Sequence, residues 1–130
     1  MSFEQFSLDQ RVLSGIKSVG YTAPTPIQQQ AIPIALKGRD LLGLAQTGTG
    51  KTAAFILPIL HRLNSKAASH KVRALIVVPT RELAQQIHQA TIDLGKYTRV
   101  RSVSIYGGVS KLPQLAELRR GAEIVVACPG

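Results

Sequence analysis

The chain has 130 residues and a mass of 14.0 kDa, of which 45% are hydrophobic and 18% charged, a globular composition that excludes wholesale disorder. Its 16 Lys+Arg against 7 Asp+Glu leave a net charge of +9, which points to a polyanionic partner without identifying one. A single cysteine, Cys128, excludes an internal disulfide and a thiolate zinc cluster, and the scattered His61, His70 and His88 offer no metal-ligand spacing. No apolar run approaches the roughly 20 residues of a membrane span. The polar start MSFEQFSLDQ also lacks a secretory pattern, so the expected location is cytoplasmic, with no membrane partner.

In chain order, Ser7 followed by Gln10 predicts a capping box that opens a helix through about residue 19, with Gly20 ending it. A rigid segment, Tyr21-Thr22-Ala23-Pro24-Thr25-Pro26, follows. Thr25 is expected to cap a helix with Pro26 at its first position, and Pro33 to divide residues 27–37 into two short helices. The apolar run Leu41-Leu42-Gly43-Leu44-Ala45 predicts the first buried strand. Further strands are expected at residues 74–78, 103–106 and 124–127, with helices at about 51–63, 81–97 and 111–119. Pro58 predicts a kink near Phe55 in the first of these helices. Strands alternating with helices imply an α/β fold, a parallel sheet covered on both faces by flanking helices. The fourth strand is followed by only a few residues, so the expectation is a fragment rather than a complete domain.

The segment Ala45-Gln46-Thr47-Gly48-Thr49-Gly50-Lys51-Thr52 fits the phosphate-binding loop G-x-x-x-x-G-K-[ST], with Ala45 at the first glycine. Gly48 and Gly50 allow backbone conformations that turn successive N–H groups toward one anion. A helix beginning at Lys51 would add the positive end of its dipole. Lys51 can then neutralise β- and γ-phosphates of a nucleotide, and the Thr52 hydroxyl is suited to Mg²⁺. Hydrolysis needs more, namely a carboxylate at the C-terminal end of a neighbouring strand. Glu4, Asp9, Asp40, Glu82, Asp93, Glu117 and Glu123 all fall elsewhere, on helical segments or before strands. The residues thus leave open a P-loop ATPase of several kinds, an unrelated kinase or transport ATPase, or a non-enzymatic adenine-nucleotide-binding module.

Taken with its neighbours, this loop resembles the start of a DEAD-box ATP-dependent RNA helicase of the bacterial RhlE-type branch. The stretch Gly20-Tyr21-Thr22-Ala23-Pro24-Thr25-Pro26-Ile27-Gln28 is similar to the family's Q motif. The resemblance implies that Gln28 reads the adenine edge, with Tyr21 and Phe3, seventeen positions before Gly20, packed near the base. It makes residues 45–52 the ATP site, with Lys51 and Thr52 as catalytic residues and Thr52 on Mg²⁺. Pro79-Thr80-Arg81-Glu82-Leu83-Ala84 resembles motif Ia, Gly107-Gly108 the GG element, and Ala127-Cys128-Pro129-Gly130 the opening of motif Ib, with Cys128 in place of its threonine. Pro79, Thr80, Arg81, Gly107, Gly108, Pro129 and Gly130 are therefore expected at the RNA backbone, contacted without regard to sequence.

On this resemblance residues 1–38 form an N-terminal helical segment with the Q motif. Residues 39–130 form a truncated, incomplete RecA-like P-loop NTPase domain. The D-E-A-D motif and a second RecA-like domain are expected to be missing, so the chain alone should be catalytically incompetent. Apolar surface meant for absent elements is expected to be exposed or paired with another copy. The basic residues Arg62, Lys66, Lys71, Arg73, Lys96, Arg99 and Arg101 are read as a solvated edge away from the ligand face.

Overall fold

The computed structural model describes residues 2–46, 48 and 50–130. A 3-10 turn at Phe3–Phe6 leads to α1 (Gln10–Ser18), α2 (Pro26–Leu36), α3 (Lys51–Asn64), β1 (Ala74–Val77), α4 (Arg81–Leu94), β2 (Ser102–Tyr106), α5 (Lys111–Arg119) and β3 (Ile124–Cys128). The three strands form one parallel sheet in the order β1-β3-β2, with Ala74 and Ser102 both level with Ile124. The crossovers through α4, from β1 to β2, and through α5, from β2 to its neighbour β3, are what a parallel sheet requires. The α/β expectation is met.

Local chemistry sets the helix ends. Thr25 caps α2 in a full capping box, accepting from the Gln28 N–H while the Gln28 side chain accepts from the Thr25 N–H, and Pro26 occupies the first turn. At the end of α1, Gly20 takes φ +83°, and the Gly20 and Tyr21 N–H groups reach back to Lys17 and Ile16 carbonyls. The start of α1 differs from expectation. Asp9, not Ser7, is its cap, accepting from the Arg11 N–H, while Ser7 ends the preceding 3-10 turn at φ 57°.

Both internal prolines stay within single helices. Pro33 does not divide α2, and α3 continues through Pro58. An interior proline costs about 3 kcal/mol. In α3 the burial of Ile56, Leu57, Leu60 and Leu63 contributes about 2 kcal/mol each, so packing wins.

One core unites residues before and after position 38. Phe3, Leu8, Val12, Ile16 and Ile32 pack with Ile56, Leu57, Leu60, Ile87, Ile124 and Val126. On the opposite face of the sheet a small cluster of Val103, Ala122 and Val125 is covered by Leu118 of α5.

Two expectations fail here. Residues 41–46 are not a strand, and Leu42 is 85% exposed. Nor is the second face covered throughout, since α5 shields the β2–β3 side while Leu75 of β1 is 63% exposed. The two failures share one cause. A strand exists by hydrogen bonds to a neighbour, and β1 pairs with β3 alone among the described residues. Apolar composition marks residues 41–45 for burial but supplies no ladder to hold them.

Candidate nucleotide and RNA site

A cleft of about 890 Å³ opens where the N-termini of α2 and α3 meet. Its walls include Tyr21, Thr25, Gln28, Gly48, Gly50, Lys51 and Thr52, so most of the predicted nucleotide residues converge. A cleft of this size is of the order of small-molecule sites. Thr47 and Thr49, also expected in the loop, lie outside the described residues. Ala45 and Gln46 belong to the irregular segment leading in, rather than to the end of a strand as predicted.

The loop's geometry suits an anion. Gly48 and Gly50 adopt φ of +84° and +88°, in the left-handed region that only glycine enters freely. Gly50 immediately precedes α3 and provides no side-chain cap, so the first-turn N–H groups of that helix keep their capacity for a ligand. Lys51 is exposed at the mouth, and no carboxylate pairs with it among the described residues. These features fit a nucleotide's phosphates.

Gln28 does more than the sequence indicates. It is only 2% exposed. Its Nε2 donates to the Gly50 carbonyl at 3.1 Å, while its Oε1 accepts from the Thr25 N–H at 3.0 Å. One amide thus closes the capping box of α2 and ties that helix to the phosphate loop. Space there is tight: a Cβ on Gly50 would stand 2.5 Å from Gln28 Nε2 and 2.8 Å from Thr25 Oγ1. Gly50 is needed for clearance as well as for φ. Each amide atom of Gln28 retains one further hydrogen-bonding capacity. The signal for this second role was the Thr25/Gln28 spacing of the box itself.

The aromatics divide. Tyr21 lines the cleft, but Phe3 is buried behind it, stacked at 6.4 Å between centroids and 22° between planes. Phe3 supports Tyr21 and does not face the cleft. Sequence reasoning missed Phe55 of α3 and Leu83, Gln86 and Ile87 of α4, which form the far wall. Their helical spacing was legible, but only the packing of α4 against α3 brings the two helix faces together.

The predicted RNA residues gather at the C-terminal ends of the strands, where open α/β sheets present ligands. Thr80 caps α4 by accepting from the Leu83 N–H, which fixes the first turn carrying Arg81. The Arg81 guanidinium lies 5.4 Å from the centroid of the Tyr106 ring, whose hydroxyl accepts from Gln85. A groove of about 400 Å³ joins Tyr106, Gly107, Gly108, Cys128, Pro129 and Gly130. A Cβ on Gly107 would come within 2.7 Å of the Gly130 carbonyl oxygen, so the ends of β2 and β3 touch through glycine. Cys128 is half-buried and packs against the main core, as a small apolar residue would.

Among the described residues no acid lines the cleft. Glu123, directly before β3, is buried at the opposite end of the sheet with Arg73 3.4 Å away. Among the described residues no group of three His, Cys, Asp or Glu could hold a metal, and no helix is long and apolar enough to cross a membrane.

Residues 25–130 match the DEAD/DEAH box helicase family. The chain is 45% identical over 129 residues to the DEAD-box ATP-dependent RNA helicase RhpA of Helicobacter pylori (strain B128), covering 99% of this chain and 26% of that protein. It is 52% identical over 132 residues to the ATP-dependent RNA helicase DDX42 of Xenopus laevis, covering 99% of this chain and 14% of that protein. The crystal structure of the RNA-helicase Prp28 from Chaetomium thermophilum bound to ADP aligns with a TM-score of 0.88 at 47% identity, over 98% of this chain and 32% of that one. The chain therefore spans about a quarter or less of the length of these two curated relatives.

Proposed function

Since the chain belongs to the DEAD/DEAH box helicase family, we propose that it supplies the ATP-binding cleft and part of the RNA-binding surface of a cytoplasmic ATP-dependent RNA helicase. One observation carries this reading: Gln28 is bonded to Gly50, so the base-reading and phosphate-binding elements meet in a single cleft. In the proposal Lys51 and the N–H groups of Gly48 and Gly50 hold the β- and γ-phosphates, Tyr21 flanks the base with Phe3 behind it, and Gln28 uses its spare donor and acceptor on the adenine edge. The Thr52 hydroxyl would hold Mg²⁺, which would neutralise phosphate charge. Arg81, Gly107, Gly108, Pro129 and Gly130 meet RNA phosphates, with Pro79 and Thr80 shaping the approach. The assignment to the RhlE-type branch rests on motif spelling alone, because identity to the vertebrate relative exceeds that to the bacterial one.

The family match removes the unrelated kinase and transport readings. The non-enzymatic module remains as a description of what these 130 residues do alone. Hydrolysis requires a carboxylate at the phosphates, and none of the cleft residues is acidic. The D-E-A-D carboxylates and a second RecA-like domain are assigned to the rest of the parent protein. The test is ATP turnover. The complete protein should hydrolyse ATP in response to RNA and lose that activity with Lys51→Ala, while the 130-residue chain shows none. RNA-stimulated turnover that survives loss of Lys51 would refute the reading.

A further inference from the structure

We infer that the end of the sheet where the strands begin carries a second contact for single-stranded RNA, with the Tyr97 ring as a base-stacking platform among Arg11, Lys66, Lys96 and Arg99. The inference rests on the RNA reading above but concerns the opposite end of the molecule. Helix α3 runs from Lys51 at the nucleotide cleft to Asn64, and its 14 residues span about 21 Å. Lys66 follows just beyond its far end, so this surface is distinct from the groove around Gly107 and Gly130.

Two adjoining hollows mark the place. One, of about 690 Å³, is lined by Arg11, Ser14, Lys17, Ser18 and Tyr97. The other, of about 160 Å³, shares Arg11 and adds Lys66, Arg99 and the Arg73-paired Glu123 to its walls. Tyr97 is 48% exposed, and Lys96 Nζ lies over its ring at 5.5 Å from the centroid, so a cation already sits on one π-face. Arg11, Lys66, Lys96 and Arg99 have no carboxylate partner among the described residues.

The neighbouring acids are engaged. Glu4 pairs with Lys17 at 3.9 Å, Asp9 caps α1, Asp93 accepts from Gln89, and Glu123 is buried with Arg73. Lys17 and Arg73 are thus paired, whereas Arg11, Lys66, Lys96 and Arg99 are not, among the described residues.

A solvated basic edge, the expectation from sequence, would show cations alone. An exposed aromatic with unpaired cations in its own and the adjoining hollow is the combination that binds single strands, where bases stack and phosphates are neutralised. Ser14 and Ser18 supply hydroxyls rather than the protruding apolar side chains that membrane insertion would need.

The test uses the 130-residue chain and a fluorescent oligouridine of about 12 nucleotides, within the range one such site covers. Binding is read by anisotropy, and contact by photocrosslinking of a 4-thiouridine version followed by peptide mapping. Crosslinks should appear on the peptide containing Tyr97. Tyr97→Ala should weaken binding about tenfold, the size of one lost base stack, and Tyr97→Phe should restore it. Arg11→Gln with Arg99→Gln should lower the slope of log K against log salt by about 1.4, two single-strand phosphates' worth. Loss of affinity with Arg81→Ala only, and crosslinks confined to residues 79–81 and 107–108, would overturn this inference and leave the proposed function standing. Absence of any RNA binding would overturn both. Tyr97-dependent binding to phosphatidylserine vesicles, without a Tyr97 effect on RNA, would also contradict it.

Discussion

Two stretches of this chain carry strong sequence signals and reach opposite ends. Around Thr25, Gln28 and Gly50, every polar group needed to build the turn is supplied locally or by one adjacent helix, and the region closes on itself through bonds of 3.0 and 3.1 Å. Residues 41–46 are more apolar, yet they are not a strand and stand largely in solvent. The difference is one of self-sufficiency. A capping box satisfies its own donors within four residues, whereas a strand depends on a neighbour's ladder. Hydrophobicity states a need for burial and cannot supply the partner.

The comparison can be broken first at leucine. Leu57→Ala in α3 should lower unfolding free energy by about 3 kcal/mol, and Leu42→Ala by no more than about 0.5 kcal/mol, both read from urea unfolding. Equal effects would mean that residues 41–46 are packed after all. Next in size is Gly50→Ala, which imposes a positive φ on a side chain and meets Gln28 Nε2 and Thr25 Oγ1. It should cost about 2 kcal/mol and displace the loop. Gln28→Ala should cost about 1 kcal/mol through the lost cap and bridge. Gln28→Glu should restore the cap but not the bond to the Gly50 carbonyl, because a carboxylate cannot donate.

A further consequence concerns association. Leu42, Leu44, Leu75 and Val77 are each exposed, and the expectation from sequence that exposed apolar residues pair with another copy can be tested on them. Leu42→Asp with Leu44→Asp should shift sedimentation velocity toward monomer by about tenfold in dissociation constant, with little change in stability. An unchanged profile would remove the dimer.

The smallest expected effect is at His88, half-buried on α4 with Nδ1 3.1 Å from the Ser102 hydroxyl. Burial lowers its pKa, and Glu117 opposes this in part while itself pairing with Arg101 and Arg120. The folded state then binds fewer protons than the unfolded state. Stability is complete above the unfolded histidine value of about 6.5 and falls as pH drops through the lowered folded value. His88→Gln should flatten the change in melting temperature between pH 7.5 and about 5.5. A steeper dependence in the variant would reverse the assigned direction.

Much of the fold was legible in the sequence because its signals are local. Thr25-Pro26 and Gly20 mark helix ends by backbone chemistry, and the three observed strands are short apolar runs bounded by turns. The misreadings have nonlocal causes. Pro33 and Pro58 are tolerated because burial of their helices outweighs the proline cost, which no window of sequence records. Ser7 and Asp9 are both good caps, and the choice between them follows from where the 3-10 turn of Phe3 and Phe6 docks into the core. In the candidate site, the glycines and Lys51 were proposed from the spacing of the phosphate-loop pattern, and Gln28 from the resemblance of residues 20–28 to the Q motif. The wall of Leu83, Gln86 and Ile87 was not, because it depends on how α4 lies across α3.

The central claim is that the Gln28–Gly50 bond joins base reading and phosphate binding in one cleft. Calorimetric titration of the 130-residue chain with ADP and with GDP tests it most directly. ADP should bind measurably, GDP more weakly, with Lys51→Ala abolishing the signal and Gln28→Ala erasing the preference for adenine. Equal affinity for ADP and GDP in the unaltered chain, or ADP binding indifferent to both substitutions, would contradict it.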